Sequence, residues 1–122
     1  MVYFKILYIY IKHILITFKQ QLRILMLVKM EIDLAKGFAT WKEMFIQNEH
    51  RLNAHGGKLV FAGTPSDNEN KLTVIMDFES MESLKNFGSD EELTKTRVEA
   101  GAMVETGVMT IMNEASFIST KS

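Results

Sequence analysis

Apolar and polar residues alternate over residues 26–34, MLVKMEIDL. Val28, Met30, Ile32 and Leu34 fall on one side, and Lys29, Glu31 and Asp33 on the other. A period of two predicts a strand. The period then lengthens. Phe38, Trp41, Phe45 and Leu52, with Met44 beside them, share one stripe of a helix over 38–54, and such a stripe faces a core. Gly56 and Gly57 follow it, where left-handed backbone ends a helix. KLVFAG (58–63) and KLTVIMDF (71–78) predict two antiparallel strands, and between them TPSDNEN (64–70) is turn chemistry throughout. Ser80 is placed to cap a short helix that Gly88 stops. Ser89 and Glu92 then form the S-x-x-E capping box of a second helical piece, which Gly101 closes. Residues 104–117 predict a fourth strand, with Gly107 at a bulge or a close backbone approach.

The order is strand, helix, strand, strand, helix, strand, with the second helix broken in two. This is the α+β, ferredoxin-like βαββαβ plan: a four-stranded antiparallel sheet with its helices on one face. The third strand raises a question about the other face. Leu72, Val74, Met76 and Phe78 share one side, but the opposite side carries Thr73, Ile75 and Asp77 and is not cleanly polar. Contiguous apolar surface marks an interface, so the expected partner is a second copy, packed sheet against sheet. The competing account makes Ile75 a lone exposed apolar residue, which is common on protein surfaces.

Residues 1–25 differ from the rest. Before Glu31 the chain has no acidic residue, while Lys5, Lys12, Lys19, Arg23 and Lys29 give a charge of +5; from Glu31 onward 15 acids face 9 bases, a balance of −6. Lys12 and His13 interrupt the about 20 apolar residues that a membrane span needs, and no A-x-A cleavage site precedes Ala35. Two readings stand. The segment is sequence upstream of a start at Met26 or Met30, its Ile, Lys, Tyr and Phe content following an AT-rich genome. Alternatively, it is a basic amphipathic helix on a membrane, with Lys5, Lys12 and Lys19 repeating every seven residues. If folded, it is expected to be helical. The organisation is therefore an extension (1–25), an α+β domain (26–118) and a short tail (119–122).

Composition narrows the function classes. The chain has no cysteine, which removes disulfides, thiolate nucleophiles and cysteine metal sites and leans toward the cytoplasm, with membrane association through residues 1–25 as the alternative. Basic residues after position 30 are scattered, so nucleic acid is not an expected partner. No dinucleotide or Walker glycine loop and no nucleophile elbow occurs. His50 and His55 stand five apart in the helix, off the i, i+4 spacing of a metal pair, so no metal site is expected. His50 is a candidate general base facing a cavity; His55 suits the negative end of a helix dipole. Asp77, flanked by apolar residues, is a candidate catalytic acid, or else half of an ion pair with Lys29 or Arg97. Trp41, Phe38 and Phe45 line a pocket for a flat molecule or simply form core, and Arg97 is the candidate polar contact for a ligand there.

A wider pattern accompanies these residues. The F-x-x-W-x-x-x-F of Phe38, Trp41 and Phe45, the run to His55-Gly56, the PSDNEN turn, the apolar third strand, and FGSDEEL followed by EAG resemble small proteins of the dimeric α/β-barrel superfamily. That group includes antibiotic-biosynthesis-type monooxygenases, muconolactone isomerase-like proteins and polyketide cyclases. The resemblance spans residues 27–117. It implies a homodimer with a shared barrel and, in each subunit, a cavity between helices and sheet. Two functions follow as expectations. One is binding or transformation of a small hydrophobic or aromatic molecule without a cofactor, by monooxygenase, isomerase or cyclase chemistry if enzymatic. The other is a non-catalytic binding, regulatory or structural dimer with a filled core.

Overall fold

The computed structural model describes residues 2–21 and 26–119; residues 1, 22–25 and 120–122, parts of the expected extension and tail, lie outside the described residues. Its elements are α1 (Val2–Gln21), β1 (Leu27–Leu34), α2 (Phe38–Ala54), β2 (Gly57–Gly63), β3 (Lys71–Phe78), α3 (Met81–Gly88), α4 (Glu91–Glu99) and β4 (Ala102–Ile111). The sheet order is β2-β3-β1-β4, antiparallel throughout. This is the ferredoxin-like fold expected from the element order, with an additional N-terminal helix.

The core lies between one sheet face and α2, α3 and α4. Val28 and Leu34 of β1 and Leu72, Val74, Met76 and Phe78 of β3 meet Trp41, Met44 and Leu52 of α2 and Leu84, Phe87 and Leu93 of α3 and α4. Phe78 is fully buried and packs on Phe87, with ring centroids 5.5 Å apart. Backbone approach is tight at the start of β2. Gly57 sits across from Phe78, and a β-carbon there would collide with the Leu52 and Phe78 side chains. Gly56 before it has φ of 79°, the left-handed turn expected after α2.

Ser80 caps α3 as expected, accepting from the Ser83 amide at 3.1 Å. The next cap is one residue later than the sequence suggested. Asp90, not Ser89, caps α4 and accepts from the Leu93 amide at 3.0 Å. Ser89 instead ends α3, its hydroxyl donating to the Lys85 carbonyl at 2.7 Å. The shift has a cause in the end of α2. Arg51 donates to Asp90 Oδ1 at 3.0 Å, and His55 Nε2 lies 3.0 Å from Oδ2. The Asp90 carboxylate meets three donors, more than the two lone pairs of a hydroxyl can accept.

These contacts hold the Asp90 carboxyl below the usual aspartate value, chiefly through the His55 hydrogen bond, then the Leu93 amide and the Arg51 charge, against some desolvation. A carboxylate with a depressed folded value stabilises the fold above its unfolded value, near pH 4, and loses that contribution as pH falls through the folded value. Asp90→Asn keeps a capping oxygen and removes the charge. We expect it to melt at lower temperature than wild type at neutral pH, with the gap closing below about pH 4 in thermal melts followed across the acid range.

β4 departs from expectation at both ends. It spans Ala102–Ile111 rather than 104–117. After it, a turn forms at Asn113, whose side-chain oxygen accepts from the Ala115 amide at 2.7 Å. Side-chain capping of this kind competes with ladder pairing. The bulge expected near Gly107 is present: the register shifts between Glu31 and Asp33, so that residues 104–107 stand opposite Ile32 alone. Thr106 clasps it. Its hydroxyl donates to the Met103 carbonyl at 2.7 Å and accepts from the Asp33 amide at 2.9 Å, satisfying backbone groups that the interrupted ladder leaves open.

The sheet face away from α2–α4 has a mixed surface. Phe61, opposite Ile75, is 52% exposed, and Val108, opposite Glu31, is 56% exposed. Ile75 is half-buried.

Candidate functional site

An apolar cavity of about 50 Å³ opens between α2, α4 and the sheet. The α2 stripe supplies Trp41, Met44, Phe45, Asn48 and Leu52; β1 and β3 supply Met30, Ile32, Leu72, Val74 and Met76; Phe87, Leu93, Arg97 and Ala102 complete the lining. The volume admits a few waters or a small substituent, since about 10–15 Å³ of such space holds one water. Three of the lining residues are methionines. Their unbranched thioethers change rotamer cheaply, so this wall can yield to a larger guest.

The aromatic stripe is a continuous stack. Trp41 lies between Phe38, at 6.0 Å, and Phe45, at 5.3 Å, each at an interplanar angle of 18°. Trp41 and Phe45 reach the cavity, whereas Phe38 supports Trp41 from behind and is not among the lining residues.

Arg97 is the charged group on this wall. Its guanidinium carbon sits 5.7 Å from the centre of the Phe87 ring, a cation–π distance. Its Nε is buried with no hydrogen-bond partner among the described residues, and burial lowers the arginine's affinity for its proton. A buried donor without an acceptor carries a desolvation cost that a bound acceptor would offset. Asn48 is the cavity's amide. Its Nδ2 donates to the Met44 carbonyl at 2.8 Å, fixing the side chain against its own helix.

The two residues expected to be catalytic are elsewhere. His50 is exposed on α2 and does not line the cavity. It lies two positions past Asn48, on a different side of the helix. Asp77 is 3% exposed, but it points to the sheet face opposite the cavity, where Oδ1 accepts from the Met26 amide at 3.3 Å. The parity of β3 decides this, because Met76 and Phe78 face the helices. Arg97 is on the helix side and therefore does not pair with Asp77, and Lys29 lies 3.9 Å from Glu31. Asn48 was missed in the sequence although it carries the signal: it stands seven residues after Trp41 and four before Leu52, within the stripe itself. Among the described residues no cluster of metal-ligating side chains occurs.

No protein-family model matches the chain, and no curated protein matches it in sequence. Solved structures do match in fold. SnoaB, a cofactor-independent oxygenase from Streptomyces nogalater, superposes with a TM-score of 0.58 at 10% identity, covering 80% of this chain and 98% of that one. A NIPSNAP-like domain protein from Burkholderia xenovorans gives 0.56 at 12% identity, over 80% and 90%. A monooxygenase from the gene ActVA-Orf6 of Streptomyces coelicolor, in complex with nanaomycin D, gives 0.51 at 16% identity, over 81% and 95%. The chain thus shares its ferredoxin-like fold with these three proteins.

Proposed function

We propose that this chain forms a homodimer and binds a small, flat, largely apolar molecule bearing an acidic or strongly polarised oxygen. The carrying observation is Arg97: a guanidinium with a buried, unpartnered Nε on the wall of a largely apolar cavity. Trp41 and Phe45 offer faces for stacking, and Arg97 offers the group that fixes orientation, the usual division of labour in a small-molecule site. SnoaB and the ActVA-Orf6 protein, similar in fold, are described as an oxygenase and a monooxygenase. By analogy with them, the reaction class would be cofactor-independent oxygenation: dioxygen is the oxidant, the substrate's own electron-rich ring gives up four electrons as a ring CH2 becomes C=O, and the second oxygen atom leaves as water. Arg97 would stabilise an oxyanion developing on that ring, and the cavity's apolar lining would exclude water. His50 and Asp77 have no place in this arrangement within one chain.

Trp41 is the only tryptophan and reports on the cavity directly. Titration with a hydroxynaphthoquinone, acidic at neutral pH, is expected to quench its fluorescence saturably, and the parent naphthoquinone to quench it at least about tenfold more weakly. Equal quenching by both would remove the role given to Arg97.

A second reading is favoured by the cavity's size. At about 50 Å³ it is well below the roughly 300 Å³ and more of an ordinary ligand pocket, which suits a non-catalytic dimer. Absence of saturable quenching by either quinone supports that reading.

The dimer is proposed to form through the open sheet face, where Phe61 and Val108 are exposed. A lysine pair at these positions, Phe61→Lys with Val108→Lys, would bury charges against the partner. Sedimentation equilibrium at micromolar concentration is expected to show two chains per particle for wild type and one for the double variant. A single-chain wild type would overturn the dimer.

A further inference from the structure

α1 leaves its described side chains in solvent. Across residues 5–14 every side chain is exposed, including Ile6, Leu7, Tyr8, Ile9, Tyr10, Ile11 and Ile14, each between 47% and 67%. So much exposed apolar surface on one helix marks an interface. We infer that α1 lies in the interface of an anionic phospholipid membrane, with its apolar side toward the acyl chains and its lysines at the headgroups. This inference is independent of the function proposed for the cavity.

Three observations choose this occupant over others. The charge is of one sign: α1 contains Lys5, Lys12 and Lys19 and no acidic residue, whereas the rest of the chain from Glu31 onward carries a net −6. The helix therefore complements an anionic surface, and the α+β domain does not. The lysines, seven residues apart, form a single row, because two helical turns return to nearly the same side. Lys12 also lies over the Tyr8 ring, Nζ being 6.0 Å from its centre, the posture of a cation held beside an aromatic at a polar boundary. Third, the apolar residues fill most of the remaining circumference. Ile9, Ile6, Tyr10, Ile14, Leu7 and Ile11 span roughly half the helix at about 100° per residue. A two-helix seam with a second copy would use a narrower a/d stripe. A membrane interface accepts the full width. No described helix is long and apolar enough to cross a membrane, so the helix lies on the surface rather than through it.

The test uses the full chain and sedimentation with extruded vesicles. Binding is expected to vesicles in which a third of the phosphatidylcholine is replaced by phosphatidylglycerol, and not to phosphatidylcholine alone. It should weaken steeply with added salt. Each lysine contributes about fivefold at low ionic strength, so the triple variant Lys5→Gln, Lys12→Gln, Lys19→Gln should lose on the order of 100-fold in partitioning. Tyrosine emission should be quenched by brominated phosphatidylglycerol in wild type only, Tyr3, Tyr8 and Tyr10 being the chain's tyrosines. Circular dichroism and a thermal melt of the triple variant check that its domain is intact. The variant Ile9→Glu, Tyr10→Glu gives a second route to loss of binding without removing a lysine. Equal binding to neutral and anionic vesicles, no binding to either, or salt-independent self-association without vesicles would each overturn the inference.

Discussion

Phe78→Ala is expected to cost about 3–5 kcal/mol of folding stability, the range for deleting a buried aromatic ring. Phe78 has no exposed surface, stacks obliquely on Phe87, and has Gly57 directly across in the ladder. None of these neighbours can move into the void. Gly57 has no side chain to offer, and Phe87 is held by its own helix. Domains of this size have only about 5–15 kcal/mol of net stability, and each kcal/mol is worth roughly 4–8 °C in melting temperature. The variant should therefore melt roughly 12–40 °C below wild type, or be unfolded at growth temperature. Ile46→Ala, on the exposed side of α2 at 62% exposure, is the control, and should change stability by no more than about 0.5 kcal/mol. Denaturant melts of the two variants side by side check the contrast.

Arg97→Met is expected to act in opposite directions on stability and on binding. The unliganded chain holds a buried Nε without an acceptor. A methionine of similar length fills the same space with no polar group to desolvate. Against that gain stands the lost cation–π contact with Phe87, worth about 0.5–1 kcal/mol. The balance favours the variant by about 1 kcal/mol, a rise of roughly 4–8 °C in melting temperature. Binding of an acidic quinone should fall by about 10–100-fold, as a charge-assisted hydrogen bond contributes about 1.5–3 kcal/mol. A thermal melt and the Trp41 titration on the same preparation read both effects. Loss of stability together with unchanged binding would make Arg97 a structural residue.

The fold was legible where side-chain period and turn chemistry agree. The alternation of β1 and β3 set their boundaries and their faces, and Ser80, Gly56 and Gly101 marked helix ends by local rules that need no tertiary information. The errors have a common origin in distant partners. Ser89-x-x-Glu92 satisfies the capping-box pattern, but Arg51 and His55, more than thirty residues earlier, draw Asp90 into the cap instead. β4 stops at Ile111 because Asn113 turns the chain, although Ser116 and Phe117 still read as strand. In the site, the stripe of Trp41, Phe45 and Leu52 was plain, and the polar member at position 48 was hidden by its polarity. His50 was attractive by residue type alone; helical phase places it outside. Arg97 was identifiable as a candidate cation, but its lack of a partner is a property of the packed structure.

The Thr106 clasp carries a restriction on how this protein can change over generations. Four residues span the distance that one residue spans on β1, so the segment contributes an odd surplus of three. That surplus is what sets Val108 on the open side and Met109 on the helical side. Removing or adding a single codon there would turn the last four residues of the strand over, exchanging every inward group for an outward one. Length variation at this corner is tolerable only in steps of two, and a family tree of this chain should show it.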